Sequence, residues 1–407
     1  FPAGNSASIP NMSYKVNRKT IIITAIPALI SIYLRIAFRT FDGAPQPDQI
    51  LKGTLPIWRH PDLNVRNKIH EYMSTSKGFD RMMICSENGD VECRTNLREM
   101  LHKAEEDIYA KSKLVSAMMK SEVNAKRPNG NGSVKISMMS SKGLISAMNS
   151  NAPLILWMEG DFIFGHDGHL AHLMQAMKSN NEGFEVLQNA VWARVHTRLA
   201  PEHRYPAAPD DCTTALEYLL RPRHESGLGL GGGGLHIAGF SGGGTLAAIT
   251  TLRALNAGRE VASLFVESPI LPTASGLKRW GEGSPFKSNS YYRNAYTRLN
   301  PIRYLNWSVN EYANIKSGGV TNVDEWRTAG KKMKLPPLVL LTEKVSPLHD
   351  AGVEFGAAYR DAAGEFTQVH YRDASTSHGV AYEYDRRAYS SLLAIWSRII
   401  TSTHVGK

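Results

Sequence analysis

From residue 152 onward, apolar strand-like segments alternate with segments that carry apolar residues at helical spacing. Strands that alternate with helices favour crossover connections, and therefore a mostly parallel sheet flanked by helices. The predicted strands are Leu154–Met158, Ala190–His196, Leu235–Phe240, Ser263–Val266, Leu338–Thr342 and Thr367–Tyr371. The clearest predicted helices are Asp211–Leu220 and Thr245–Ala257. Upstream, the pattern predicts a long amphipathic helix over Leu97–Lys126 and a short strand at Val134–Met139.

One short motif stands at a junction between two of these segments. Gly239-Phe-Ser-Gly-Gly243 fits the pattern G-x-S-x-G and connects a predicted strand to a predicted helix. A serine at such a sharp turn projects above the sheet, and flanking glycines are needed because the turn brings backbones very close. The N-terminus of the helix also favours developing negative charge. Ser241 is therefore the candidate nucleophile.

A longer signature precedes this motif. Arg198-Leu-Ala-Pro-Glu-His-Arg-Tyr-Pro-Ala-Ala-Pro-Asp-Asp211 resembles the R-L-A-P-E-x-x-x-P-A-x-x-D-D signature of the hormone-sensitive-lipase family of esterases. His378-Gly379, after the last predicted strand, is similar to the family's catalytic His-Gly, and the order serine, acid, histidine supports His378 as the base. The resemblance covers about residues 150–400. It implies an α/β-hydrolase fold with a mostly parallel eight-stranded sheet, flanking helices and a helical cap.

The acid of the resembled family is replaced in this chain. The family carries its aspartate before Pro-Leu in a D-P-L-x-D segment after the seventh strand, whereas Ser346 stands at that position here. Because the acid orients the histidine and stabilises its imidazolium form, a substitute carboxylate is expected. Glu267, at the end of the sixth strand, is the first choice. The less favoured carboxylates are Glu343, Asp350 and Asp373.

The oxyanion loop also departs from the family. The family sequence H-G-G-G-F corresponds to Met158-Glu-Gly-Asp-Phe162, which places Gly160 and Asp161 at two donor positions, with Gly242 as the third donor. The carboxylate of Asp161 either turns away, leaving only its N–H pointing inward, or points inward and repels an oxyanion. Because an ionised carboxylate nearby would oppose an oxyanion, efficient hydrolysis of ordinary esters is not expected.

The leading functional hypothesis is a serine carboxylesterase-like hydrolase that acts on a hydrophobic small-molecule ester or lactone. In it Ser241 attacks, His378 relays the proton, and the loop binds the oxyanion. An alternative keeps the fold but uses Ser241 and His378 for proton transfer, as in a dehydratase, lyase or cyclase of specialised metabolism. A non-catalytic ligand-binding protein is the least favoured reading, because both residues persist.

The N-terminal part of the chain raises the question of a membrane anchor. The predicted organisation is a polar tail at 1–19, a hydrophobic or cap segment at 20–78, and a catalytic domain at 79–407 with a cap insertion at 280–335. Ile21–Phe38 resembles a signal-anchor, but Pro27 and Arg35 interrupt the apolar run. A cap helix is therefore preferred to an anchor. The expected location is cytoplasmic or peripheral to a membrane through residues 20–38, with anchoring in the endoplasmic reticulum as the alternative.

Charge and histidine spacing bear on partners and cofactors. The chain has 47 basic and 37 acidic residues, a net charge of +10, but the basic residues are scattered, so no nucleic-acid partner is expected. The expected partner is a small-molecule substrate, and a homodimer is compatible with the sequence. His166, His169 and His172 are spaced by three, which favours a surface helix over a metal site. Neither a metal nor a cofactor is expected.

The cysteines do not form a disulfide framework in the sequence pattern. Cys85 and Cys93 flank Asn88-Gly89, which predicts a hairpin over residues 79–95. A tight turn there would place the two sulfurs on opposite faces, so a bridge between them is not expected without a bulge. Cys212 is the remaining cysteine.

Overall fold

The computed structural model describes residues 91–111, 117–165, 168–179, 184–271, 290–291, 294, 302–313, 323–330, 332–363, 369–379 and 381–405. The predicted tail at 1–19 and the hydrophobic or cap segment at 20–78, including residues 20–38, lie outside these ranges, as does much of the region 280–335. Within these ranges, no helix combines the length and the apolar character that crossing a bilayer requires.

The described residues contain one eight-stranded sheet, in the order β1-β2-β4-β3-β5-β6-β7-β8. The strands β1 to β8 are Met119–Lys126, Ser133–Ser140, Leu154–Met158, Val191–His196, Leu235–Phe240, Ser263–Glu267, Leu338–Val345 and Val369–Ser377. Strand β2 pairs antiparallel with β1 and β4, and all other pairs are parallel. The predicted mostly parallel eight-stranded sheet is confirmed.

Helices fill the connections of this sheet. In the described ranges α1 to α6 are Val91–Lys111, Leu144–Asn149, His169–Ser179, Glu185–Asn189, Ala207–Leu220 and Gly242–Asn256. Helices α7 to α11 are Ile302–Tyr312, Val323–Gly330, His349–Ala363, Ala381–Tyr384 and Arg386–Val405. Helices α7 and α8 fall within the region predicted as a cap insertion.

The central strands are apolar throughout because both of their faces are buried. Successive side chains of a strand point to opposite faces of the sheet. In β3, Leu154, Leu156 and Met158 pack on the side that carries α5, α6 and α9, whereas Ile155 and Trp157 pack on the side that carries α3 and α11. Two apolar cores therefore fix the sheet, and the carboxyl ends of the parallel strands meet at one edge.

Three predictions for the region before β2 are wrong. The helix predicted over Leu97–Lys126 ends at Lys111, and Met119–Lys126 is strand β1, whose side chains alternate in exposure and which pairs along its whole length with β2. The hairpin predicted over 79–95 fails in its second half, because α1 begins at Val91. The expectation that Cys93 forms no bridge is also wrong: Cys93 lies in α1, not in a hairpin strand, and is disulfide-bonded, whereas Cys212 is free and buried.

Candidate active site

Ser241 occupies the turn between β5 and α6. Its backbone has φ 54° and ψ −122°, a conformation that an L residue adopts only under constraint. The constraint comes from close packing: a Cβ at Gly239 would lie 2.2 Å from the carbonyl oxygen of Gly243, and a Cβ at Gly243 would lie 2.1 Å from that of Met158. The Ser241 N–H donates to the carbonyl oxygen of Glu267 at 2.8 Å. These contacts hold the serine at the carboxyl edge of the sheet.

His378 directly follows β8 and meets Ser241. The distance between His378 Nε2 and Ser241 Oγ is 3.0 Å, and both side chains are buried. Burial lowers the pKa of His378 to about 3, and the nearby His169 acts in the same direction. The imidazole is therefore neutral at physiological pH, which is the form that can accept a proton from the serine hydroxyl.

The other ring nitrogen of His378 faces Ser346 and a carboxylate. Nδ1 lies 3.2 Å from Ser346 Oγ and 3.5 Å from Glu343 Oε2. The Glu343 carboxylate is fully buried and accepts hydrogen bonds from the Ser268 hydroxyl at 2.8 Å and from the Gly379 N–H at 2.7 Å. Glu343, one of the less favoured candidates in the sequence, is thus the carboxylate that the described residues bring to His378.

The first-choice substitute acid, Glu267, has a different partner, which corrects that expectation. Its Oε2 lies 2.8 Å from His169 Nε2, and His169 stacks on Phe240 with ring centroids 4.0 Å apart. Both members of the pair are buried, so His169 is not a residue of a surface helix. Within the described part of the chain, no group of three metal-binding side chains forms around it. The main-chain carbonyl of Glu267 accepts the N–H of Ser241, whereas its carboxylate pairs with His169 and not with His378.

The three predicted oxyanion donors lie together, but one of them is already bonded. The N–H of Gly242 donates to the carbonyl oxygen of Gly160 at 2.8 Å. The Asp161 carboxylate accepts hydrogen bonds from the N–H groups of Ile163 and Phe164, at 2.7 and 2.8 Å, and from the Tyr304 hydroxyl at 2.7 Å. Burial raises the pKa of Asp161, and these hydrogen bonds act in the opposite direction. Both carboxylate oxygens are therefore engaged within the loop and with α7.

The long signature upstream of the serine has a structural role in the described contacts. The buried carboxylate of Asp211 binds Arg198, through both the guanidinium group and the backbone N–H, and also binds Arg127 at 2.8 Å. Glu202 pairs with Arg98 of α1, which also donates to the carbonyl oxygen of Ile163 in the oxyanion loop. The signature thus fixes the segment before α5 and braces the loop.

A serine at a strained strand-to-helix turn, bonded to a histidine after the last strand of such a sheet, is the arrangement of the α/β-hydrolase fold. The family model described as "alpha/beta hydrolase fold" matches residues 186–381. The chain is an α/β-hydrolase-fold protein that resembles the hormone-sensitive-lipase family of esterases.

Two curated relatives match at moderate identity. Esterase LipI of Mycobacterium tuberculosis is 27% identical over 236 residues, which cover 54% of this chain and 63% of that protein. Ethyl acetate hydrolase of Pseudomonas putida is 28% identical over 178 residues, which cover 42% of this chain and 50% of that protein. The chain therefore spans less than two thirds of the length of either relative.

Solved structures show the same fold. A bacterial heroin esterase superposes with a TM-score of 0.57 at 24% identity, covering 75% of this chain and 92% of its own. A thermostable esterase from Pseudomonas putida gives a TM-score of 0.57 at 20% identity, covering 77% of this chain and 89% of its own. At these identities the likeness establishes the architecture alone.

Proposed function

We propose that the chain is a serine carboxylesterase, with Ser241 as nucleophile, His378 as general base and Glu343 as the acid that supports the base. One observation carries the proposal: Ser241 Oγ and the Glu343 carboxylate lie on opposite nitrogens of the same buried imidazole, at 3.0 and 3.5 Å. This is the geometry that nucleophilic catalysis by serine requires.

The reaction follows from the positions of these groups. The Ser241 hydroxyl proton moves to His378 Nε2 as Oγ bonds to the ester carbonyl carbon, and the negative charge forms on the carbonyl oxygen. The imidazolium then gives its proton to the departing alcohol oxygen, and the acyl group stays on Ser241. Water then attacks the acyl carbon while His378 accepts its proton. The imidazolium returns this proton to Ser241 Oγ as the carboxylic acid leaves. Because burial disfavours the imidazolium, the adjacent Glu343 carboxylate is needed to stabilise it.

The substrate proposed is a hydrophobic small-molecule ester or lactone. Both curated relatives have names that denote ester hydrolysis, and one is named for ethyl acetate, a small uncharged ester. The lyase or cyclase alternative uses Ser241 and His378 for proton transfer, beside the carboxylate of Asp161. Since both of its carboxylate oxygens are bonded, to Ile163, Phe164 and Tyr304, no contact in the described residues favours that alternative.

A fluorophosphonate probe tests the nucleophile directly. We expect intact-protein mass spectrometry to show one adduct on the wild type and none on Ser241→Ala, because the turn presents this serine to His378. A series of p-nitrophenyl esters from acetate to octanoate then defines the acyl preference. Equal labelling of the two proteins, or ester hydrolysis that persists in Ser241→Ala, would contradict the proposal.

A further inference from the structure

The oxyanion loop is closed by its own backbone. The carbonyl oxygen of Gly160 accepts the N–H of Gly242, the donor that follows the nucleophile, at 2.8 Å. A Cβ built on Gly242 would lie 2.7 Å from the same oxygen, so the carbonyl group is pressed against this residue. A substrate oxyanion and the Gly160 carbonyl cannot accept this N–H at the same place.

The same peptide also controls a second donor. In a planar trans peptide the C=O and the following N–H point in opposite directions. With the Gly160 oxygen directed at Gly242, the N–H of Asp161 is directed away from it. Turning the Gly160–Asp161 peptide over would release the Gly242 N–H from the Gly160 oxygen. The same movement would bring the Asp161 N–H towards the Gly242 N–H.

The rest of the loop is held too firmly to take part in this movement. The Asp161 carboxylate binds the N–H groups of Ile163 and Phe164, and the Asp161 carbonyl accepts the N–H of Gly165 at 3.0 Å. Arg98 of α1 donates to the carbonyl oxygen of Ile163 at 2.8 Å. The movement is therefore confined to two torsions, ψ of Gly160 and φ of Asp161.

The identity of residue 161 decides how easily this peptide turns. Asp161 has a negative φ in the closed loop. Turning the peptide drives that φ to positive values, as when a type I turn converts to type II, and a residue with a Cβ is disfavoured there while glycine is not. The resembled family has glycine at this position, where this chain has aspartate.

We propose that Asp161 is a positioning residue whose backbone preference holds the oxyanion hole closed, so that the hole opens only when a substrate oxygen displaces the Gly160 carbonyl. The proposal rests on the proposed serine esterase function and adds a gate to it. Tyr304 of α7 assists by binding the Asp161 carboxylate at 2.7 Å, which ties the gate to the helix above it.

Two substitutions at the same position separate this account from a simple effect of charge. Asp161→Gly and Asp161→Ala remove the same carboxylate and the same loop hydrogen bonds, but only glycine removes the penalty on positive φ. We expect kcat for p-nitrophenyl acetate to rise about 5- to 10-fold in Asp161→Gly, with KM nearly unchanged, and not to rise in Asp161→Ala. Thermal unfolding of both variants checks that they fold equally well.

The outcomes are distinct from those that test the nucleophile. An equal rise in both variants would overturn the gate, since the carboxylate charge would then be the cause, and no rise in Asp161→Gly would overturn it as well. Labelling of Ser241 by a fluorophosphonate, taken to saturation, reports the nucleophile regardless of the gate. Failure to label any of the three proteins would refute the esterase proposal itself, whereas full labelling without a difference in kcat refutes only the gate.

Discussion

In the proposed reaction, His378 accepts a proton in a place where burial disfavours its charged form. Its pKa is lowered to about 3, so the imidazolium forms only if a partner stabilises it in the transition state. Glu343 is the buried carboxylate beside Nδ1, and Ser268 and Gly379 donate to its oxygens and keep it in place. In the proposed reaction, the chemistry at Ser241 therefore depends on a carboxylate three positions before the one that the resembled family uses.

Removing this charge is the sharpest test at the level of single residues. We expect Glu343→Gln to lower kcat for p-nitrophenyl acetate by a factor of about 10³–10⁴, because an amide orients His378 poorly and cannot stabilise its charge. The matched control is Glu267→Gln, which alters an equally buried carboxylate that pairs with His169. Its kcat should fall far less, although the loss of a buried pair will lower its stability. The kinetics of both purified variants decide.

A rescue experiment distinguishes a supporting acid from a structural one. Ser346 Oγ lies 3.2 Å from Nδ1, so an aspartate there can face the same nitrogen. The double variant Glu343→Gln with Ser346→Asp should have a kcat at least tenfold higher than that of Glu343→Gln alone. If Glu343→Gln leaves kcat intact while Glu267→Gln abolishes it, the acid assignment made from the geometry is incorrect.

The sequence favours Glu267 over Glu343 because some α/β hydrolases carry their acid at the end of the sixth strand, and because the local sequence does not show how the end of β7 pairs. Strand β7 continues through Val345, and its register with β8 shifts between Glu343 and Val345. This irregularity lies beside the contact between Glu343 and His378. It cannot be predicted from the strand propensities of the residues. A carboxylate within the buried part of a central strand is the available signal. Ser241 and His378 were predictable because the turn and the chain order specify them.

At the scale of elements, an ionic cluster joins the start of α9 to β8. His349 Nδ1 lies 3.0 Å from Asp350 Oδ1, and His349 Nε2 lies 3.2 Å from Asp373 Oδ1. The two carboxylates raise the pKa of His349 to about 9, and the same contact lowers the pKa of Asp350 to about 2. Since Ser346 lies three residues before the start of α9, this cluster fixes the segment that faces His378.

The cluster makes stability depend on pH in a defined window. A histidine whose folded pKa is raised from 6.5 to about 9 stabilises the fold fully below pH 6.5, and its contribution is lost as the pH rises through about 9. Allowing for partial exposure, we expect His349→Gln to lower the free energy of unfolding by about 1–2 kcal/mol at pH 6 and by nearly nothing at pH 10. Urea unfolding at both pH values measures this. A difference that is independent of pH would show that His349 acts through packing alone.

Helices and strands could be predicted from the sequence where apolar runs are long. The prediction failed where most residues of an element are exposed. The central strands β3 to β7 are buried on both faces, so their composition is distinctive. Strand β1 exposes most of its side chains at the edge of the sheet, and its charged residues resemble the polar side of a helix. Only its pairing with β2 defines it as a strand, and pairing is not a local property of the sequence.

At the scale of the whole molecule, the two faces of the sheet are closed by different parts of the chain. Helices α5, α6 and α9 cover one face as they connect the strands, whereas the other face depends on α3 and on the C-terminal α11. Alternation along the sequence predicted that both faces are covered. Which helix covers which face follows from the handedness of the crossovers and from the order of the strands in the sheet. The alternation of strands and helices along the sequence does not specify that order.

Trp396 of α11 lies fully buried in the core of the second face. Its ring stacks on Phe265 with centroids 4.6 Å apart and meets Trp192 edge-on at 5.9 Å, and its Nε1–H donates to Ser263 Oγ at 2.9 Å. Because the side chain is fully buried, Trp396→Ala should cost about 3–5 kcal/mol of unfolding free energy. Trp396→Phe keeps most of the apolar contact and loses the hydrogen bond, so it should cost about 1–2 kcal/mol. Chemical denaturation of the wild type and the two variants measures both values, and labelling of Ser241 checks that the native site is intact. An alanine variant as stable as the phenylalanine variant would show that α11 does not hold this face.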